Sequence, residues 1–412
     1  LKYHLPPYEG SLNGPIKLTS SKSESNRALL INALSGNKLT LDNLSTARDT
    51  ETMMRLMEEV SETWDVLDAG TTMRFCTAYL AIFGKGETVT GTERMLERPI
   101  GLLVEALKQL GAKIKYQGKE GYPPLTIEKI EKQLVDKIEI AGNISSQYIS
   151  AILMIAPYLE NGLEIVLTTE VYSKPYINMT IKLMERFGVK AKWIDNVIKV
   201  PAAKYKMGHY TIESDWSGAS YWYSMAALNM GAQLKLVGLR EKSFQGDQAI
   251  VKIMANLGVN TIFDDKGANL VKVNSSKKEV TIDFKSCPDL AQTVMVTAAA
   301  KGTKLIMTGL ESLKIKETDR IAAMTAELAK INALLTEENG VWKLIPGELP
   351  DEVTIDTYDD HRMAMAFAPL AMKMDVNIME PDVVKKSYPS FWNDCDEIGI
   401  IVNRKDKKER KK

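Results

Sequence analysis

Cysteine and histidine are scarce. Three cysteines (Cys76, Cys287, Cys395) and three histidines (His4, His209, His361) are scattered over 412 residues, with no CxxC pair. That excludes a disulfide framework and a histidine- or cysteine-rich metal centre, and an odd, sparse cysteine count fits a reducing cytoplasm. Net charge is missing too: 53 Lys plus Arg balance 53 Asp plus Glu, so no basic field points to nucleic acid or a membrane surface. Long apolar runs are absent. Ala151–Leu159, among the longest, falls well short of the ~20 residues that span a bilayer. No basic-then-apolar leader opens the sequence as given. The expectation is a cytoplasmic monomer whose partners are small molecules, not nucleic acid or membrane.

What is present is an ordinary globular balance, 45% hydrophobic and 26% charged, over a length that suggests two domains. Neutrality hides one local skew. Arg404–Lys412 holds seven basic and two acidic side chains, the pattern of a solvated terminal tail.

One unit recurs six times: a polar start, a helix of small and apolar residues, a Gly-type turn and a β-rich strand. The copies are Ser23–Leu44, Thr71–Gly91, Ser145–Thr169, Asp215–Leu239, Pro288–Leu310 and Asp360–Glu380. The turn residues Gly162, Gly231, Gly302 and Met374 are spaced by 69, 71 and 72 positions. A second helix follows most copies, as at Arg98–Leu110, Tyr176–Phe187, Gln248–Leu257 and Thr318–Ile331. Its apolar residues recur three and four apart, as a half-buried helix requires. Six copies imply an α/β chain of two domains with three copies each, the chain reversing near Ile212–Asp215.

Small polar residues open the first helices: Ser23 and Ser25, Thr71 and Thr72, Ser145 and Ser146, Ser217 and Ser220. A helix start offers free N–H groups and the positive end of a dipole, so several starts together suit a multiply anionic ligand. Singly, each serine is an ordinary N-cap.

Five stretches carry chemistry-bearing side chains. In Ser21–Arg27, Lys22 and Arg27 bracket a serine-rich helix start, and Ser23 and Arg27 share a helix face. In Asp68–Arg74, Gly70 permits close backbone approach to a ligand, and Arg94 follows in a loop with Pro99 at the next helix start. Gly142–Tyr148 sets two hydroxyls and the Gln147 amide at a helix start, with Ser173 and Tyr176 downstream. Asp289 with Lys316, Glu317 and Arg320 pairs a carboxylate with cations, a base-and-acid combination. By itself a stretch such as Lys316–Arg320 is most often an exposed, charge-paired helix. In Asp359–Met365, Arg362 precedes an almost wholly apolar helix, a place that needs a ligand or a buried acid. Lys385 and Lys386 add further cations.

Taken in order, SKSESNRALL, AGTTMR, ERMLERPIG, SSQYISA, SKPY, QGD, KETDR, YDDHRMAMAF and KKSYP resemble the 5-enolpyruvylshikimate-3-phosphate synthases of the enolpyruvyl transferase family, nearly end to end. The resemblance implies an α/β (α+β) chain folded as a two-domain inside-out α/β barrel, each domain built of three βαβαββ repeats. Residues 15–213 would bind shikimate 3-phosphate. Residues 1–14 with 214–403 would carry the acid/base groups and the phosphoenolpyruvate cations, and 404–412 would be a basic tail. The chain would cross between domains near Asn13–Pro15 and Ile212–Asp215.

Position by position, the resemblance implies a phosphoenolpyruvate site of Lys22, Gly70, Arg94, Gln147, Arg320, Arg362 and Lys386. It implies a shikimate 3-phosphate site of Lys22, Ser23, Arg27, Ser145, Ser146, Gln147, Ser173, Tyr176, Asp289, Ser312 and Lys316. Lys22, Asp289 and Glu317 would be catalytic, and neither a metal nor an organic cofactor is implied. Three positions depart from the family pattern: Asp68 and Ser312 stand where Asn is usual, and Phe75 where Pro is frequent. An acid at 68 repels phosphate unless it turns away or pairs with a cation.

Other readings differ at particular residues. The sister transferase acting on UDP-N-acetylglucosamine carries Lys-Asn where this chain has Lys22-Ser23, and a catalytic Cys in the loop matching Gly91–Arg98, where this chain has none. A non-catalytic anion-binding paralogue is disfavoured by the presence of Lys22, Asp289 and Glu317. An RNA 3′-phosphate cyclase, of related repeat fold, is disfavoured by neutral charge.

Overall fold

The computed structural model describes residues 1–59, 61–143, 145–274, 277–316 and 318–405. The chain divides into two compact units, Leu1–Thr19 with Glu213–Lys412, and Ser20–Ile212.

In the unit Ser20–Ile212, one sheet orders Thr63–Asp65, Lys85–Thr90, Leu125–Glu128 and Lys113–Tyr116. A second orders Lys137–Ile140, Leu163–Leu167, Val197–Val200 and Lys192–Ile194. In both, the first two strands are parallel, joined across a helix, and the rest antiparallel. The third sheet has two strands, Leu39–Asp42 paired in parallel with Gly208–Thr211.

The other unit repeats the four-strand order three times. Asn13–Lys17 pairs with Gln233–Val237, then Gly267–Lys272 and Val259–Asp264 follow. Glu279–Asp283, Lys304–Thr308, Val341–Ile345 and Leu334–Glu338 form the next sheet. In the last, Glu352–Ile355 and Asp375–Met379 are joined by Lys2–Leu5 and Asn403–Lys405.

The expected inside-out barrel is not what forms. Among the described residues the sheets are six separate open ones, of four strands or two, and none returns to pair its last strand with its first. Closure needs tilted strands in a continuous stagger. Here four parallel pairs are continued by a hairpin and one by Lys2–Leu5 with Asn403–Lys405, while Leu39–Asp42 with Gly208–Thr211 has no further strand.

The repeated helices that lead each unit are wrapped on all sides. Every residue of Trp216–Leu228 except Ser217 is buried, as are all of His361–Phe367 and Ala291–Ala299 of the helix Ala291–Lys301. These three pack on one another. Their Gly, Ala and Ser content lets backbones approach, and a helix without a polar face belongs inside. Lys22–Leu34, Gly70–Phe83 and Ser146–Ile155 pack together in the same way in the other unit. The second helices are amphipathic: Gly101–Leu110 buries Leu103, Val104, Leu107 and Leu110 and exposes its other face. Helix stops follow the sequence signal at Gly302, whose φ of +70° only glycine takes without strain.

Local boundaries differ from expectation where a side chain other than the expected one caps. Ser21, not Ser23 or Ser25, caps Lys22–Leu34, and Asp215, not Ser217, caps Trp216–Leu228. Pro99 lies outside the helix that begins at Gly101. Arg404 is exposed but placed in a strand, 2.6 Å from Asp396 and over the Tyr3 ring. Residues 406–412 lie outside the described residues. Cys76, Cys287 and Cys395 are buried free thiols. Among the described residues no helix is long and apolar enough to cross a membrane.

Candidate active site

In the unit Leu1–Thr19 with Glu213–Lys412, Asp289 is the focus. It lies in the turn Pro288–Leu290 that leads into the helix Ala291–Lys301. Arg320 Nη1 is 3.0 Å and Lys316 Nζ 3.6 Å from its Oδ1, and Arg362 Nη2 is 3.0 Å from its Oδ2. Three cations thus face one carboxylate that is 16% exposed.

Asp360 orders two of those cations. Wholly buried, it accepts from Arg320 Nε at 2.6 Å and Nη2 at 3.3 Å, and its Oδ1 caps the helix His361–Phe367 by accepting from Arg362 N at 2.8 Å. Arg362 also donates through Nη1 to the Tyr221 hydroxyl, at 3.3 Å, and lies 3.4 Å from Ser217 Oγ. Ser217 in turn donates to Asp247, a buried carboxyl in the turn Gly246–Ala249. Burial first, and the nearby Asp289 charge second, push Asp247 up to about 7, against the pull of Arg362 and the Ser217 hydroxyl. Burial likewise pushes the Tyr221 phenol up to about 12. Lys386, 4% exposed, ends the turn Pro381–Lys386 that packs on His361–Phe367. Ser312 is half-buried in the turn Glu311–Ile315. Glu317 lies outside the described residues.

In the unit Ser20–Ile212, polar contacts gather four helix starts, those of Lys22–Leu34, Arg48–Glu58, Gly70–Phe83 and Ser146–Ile155. Lys22 Nζ is 3.0 Å from Asp49 Oδ2, a carboxylate 3% exposed. Thr72 Oγ1 donates to Asp49 O at 3.1 Å, and Gln147 Nε2 to Thr71 Oγ1 at 3.0 Å. Ser145 caps the helix of Ser146 and Gln147. Ser173, in the left-handed region with φ 53°, stands at the N-cap position of Lys174–Arg186, which carries Tyr176.

Arg27 is built into the packing of this unit, with 2% exposure. It donates to Thr180 Oγ1 at 2.7 Å, Ser150 Oγ at 3.2 Å and Ser23 O at 2.8 Å. It also lies over the rings of Phe75 and Tyr176. Burial holds its guanidinium down at about 10. Arg94 is half-exposed and paired with Glu97 at 2.8 Å. Gly70 opens a helix whose N-cap, Ala69, offers no side-chain bond. The Arg98 guanidinium lies against it, so near that a Cβ on Gly70 would be 2.5 Å from Nη1.

A family model described as EPSP synthase (3-phosphoshikimate 1-carboxyvinyltransferase) matches residues 8–68 and 60–395. A 3-phosphoshikimate 1-carboxyvinyltransferase of Bacteroides fragilis (strain YCH46) is 48% identical over 396 residues, 95% of this chain and 96% of that one. A namesake from Shewanella piezotolerans is 36% identical over 420 residues, 94% of this chain and 97% of that one.

The chain belongs to the EPSP synthase family.

A solved EPSP synthase from Acinetobacter baumannii shares the fold, with TM-score 0.81 at 19% identity over 98% of this chain and 99% of that one. Against this background, the structure adds contacts that the sequence did not give. Asp360 holds Arg320 and Asp49 holds Lys22, Ser217 and Asp247 extend the Asp289 cluster, and Arg98 covers Gly70. A signal existed for part of this. Arg362 ahead of an apolar helix called for a ligand or a buried acid, and QGD, which holds Asp247, was among the recognisable segments. Arg98 lies in the recognisable segment ERMLERPIG, whereas nothing local marks Asp49, whose partner Lys22 is on another helix.

Proposed function

We propose that the protein transfers the enolpyruvyl group of phosphoenolpyruvate to the 5-hydroxyl of shikimate 3-phosphate and releases inorganic phosphate, a step of the shikimate route to aromatic amino acids. Identity of 48% over nearly the whole chain with a 3-phosphoshikimate 1-carboxyvinyltransferase supports this. The observation that carries it into chemistry is Asp289 held among Lys316, Arg320 and Arg362.

In this reading Asp289 takes the proton of the 5-hydroxyl as its oxygen attacks C2 of phosphoenolpyruvate. Glu317, with Lys22, delivers a proton to the C3 methylene, giving a tetrahedral phospho-intermediate. Removal of a proton from the new methyl group then expels phosphate and restores the double bond. Lys22, Gly70, Arg94, Gln147, Arg320, Arg362 and Lys386 bind phosphoenolpyruvate. Lys22, Ser23, Arg27, Ser145, Ser146, Gln147, Ser173, Tyr176, Asp289, Ser312 and Lys316 bind shikimate 3-phosphate. Cations and helix N–H groups stabilise these anions, and more strongly where water is excluded. The unit Ser20–Ile212 is the proposed shikimate 3-phosphate domain, and the other is the proposed carrier of the acid/base groups. The buried thiols suit a reducing compartment, and the cytoplasm is the proposed location.

Phosphate release from phosphoenolpyruvate, with and without shikimate 3-phosphate, tests the reading. Release that requires both and disappears in Lys22→Ala supports it. Release only with UDP-N-acetylglucosamine assigns the chain to the sister reaction.

A further inference from the structure

Glu327 is a carboxylate in an unfavourable place. It lies in the last turn of the helix Arg320–Ala329, where the dipole repels negative charge, and it is wholly buried. Its partners explain its presence. Oε1 accepts from the Tyr358 hydroxyl at 2.7 Å, while Oε2 accepts from Asp356 N at 3.2 Å and lies 2.8 Å from Lys330 Nζ. Lys330 also donates to Thr354 O at 3.1 Å and Asp356 Oδ2 at 2.9 Å.

The segment so tied needs a tie. Tyr358 and Asp359 both have φ of 53°, and Asp360 N donates to Thr357 O at 2.8 Å. Two successive left-handed residues inside a closed four-residue turn are the φ signature of a type I′ turn, which favours Gly, Asn and Asp. A tyrosine there is strained. Its ring, 41% exposed, contributes little packing to hold it. The hydroxyl bond to Glu327 does so instead, and the bond persists because burial and that carboxylate push the phenol up to about 12.

The residue that follows the turn is Asp360, which binds the guanidinium of Arg320 and the backbone of Arg362. Arg320 and Glu327 are seven residues apart on one helix, so they share a face about two turns apart. The helix therefore grips the segment Asp356–Asp360 at three places: the backbone of Asp356, Tyr358 and Asp360.

We propose that Glu327 and Tyr358 are positioning residues for enolpyruvyl transfer: their hydrogen bond fixes the turn Thr357–Asp360 and, through Asp360, aims Arg320 and Arg362 at the phosphoenolpyruvate side of the site. This rests on the reaction assigned above.

The test is Tyr358→Phe in the full chain, which removes one oxygen. With phosphate release as the assay, kcat/KM for phosphoenolpyruvate falls on the order of tenfold, as for loss of a hydrogen bond to a charged acceptor. KM for shikimate 3-phosphate stays within about twofold, since that ligand is assigned mainly to other residues. Glu327→Gln keeps an acceptor for Tyr358 and retains most of the wild-type value, whereas Glu327→Leu behaves like Tyr358→Phe. An unchanged kcat/KM for phosphoenolpyruvate in Tyr358→Phe, whatever its melting temperature, overturns the proposal and leaves the pair a stability feature. If the wild type releases no phosphate from these substrates, the reaction assignment fails instead. Positioning is then decided by calorimetric affinity for phosphoenolpyruvate, which Tyr358→Phe must weaken and whose constancy would refute it.

Discussion

Arg48 and Asp68 are bound to each other, with Nη2 of the arginine 2.7 Å from Oδ2 of the aspartate. Asp68 is the residue at which the sequence departs from the family pattern with an added negative charge, two positions before Gly70. The pairing supplies the cation that such a charge requires beside a phosphate.

It follows that Arg48→Ala raises KM for phosphoenolpyruvate several-fold and that adding Asp68→Asn restores it. The pair is partly exposed, so its loss alters stability by only ~0–1 kcal/mol. Steady-state kinetics on the single and double variants, with melting curves, check both statements. No rise in KM for Arg48→Ala would mean that the Asp68 charge does not reach the substrate.

Asp289→Asn keeps the shape of the side chain and removes its basicity. Turnover falls by roughly 10²–10⁴ if Asp289 is the general base. Shikimate 3-phosphate still binds, since its other assigned partners remain. Single-turnover phosphate release beside equilibrium binding separates the two effects, and turnover near wild type would remove Asp289 from the chemistry.

Gly70→Ala places a methyl group 2.5 Å from Arg98 Nη1 and 2.8 Å from Cζ and Nη2. Backbone strain is not at issue, because Gly70 is helical. The guanidinium end must swing away, so KM for phosphoenolpyruvate rises while the melting temperature stays close to wild type. A crystal structure of the variant with Arg98 unmoved would contradict this.

Asp247 gives the protein a pH signature. Its folded carboxyl is raised to about 7, against ~3.9 for an unfolded aspartate. The unfolded chain therefore releases the proton first. Stability is full below the unfolded value, declines as pH rises towards 7, and levels off above it. The slope from this one group is at most about 1.4 kcal/mol per pH unit. Asp247→Asn, whose amide oxygen still accepts from Ser217, lacks that decline. Urea unfolding of both proteins at pH 5 and pH 7 measures the difference, and parallel pH dependence would show that Asp247 ionises normally.

Much of this molecule could be read from its sequence where the determinants are local. The helix Trp216–Leu228 and its counterparts announce themselves by small and apolar residues without a polar stripe, and Gly302 marks a helix stop. The hydroxyls and cations at the helix starts are likewise set within single segments. What is not local was not legible. Whether strands close into a barrel depends on pairing between distant segments, and the sheets stay open. Arg27 reads from the sequence as a cation sharing a helix face with Ser23, yet Ser150 and Thr180, 123 and 153 residues further on, complete its burial. Asp49 acquires meaning only when its helix places it beside Lys22.

The pairing of Lys2–Leu5 with Asp375–Met379 also sets an order of events during synthesis. The first strand emerges early and has no partner until some 370 residues later. At roughly 5–20 residues per second, that wait is about 20–75 s. The unit Ser20–Ile212 has no such dependence, since its long-range strand pair, Leu39–Asp42 with Gly208–Thr211, is complete once residue 211 has been made. This unit can therefore fold on the nascent chain while the strand preceding it waits, exposed, for the last sheet to be translated.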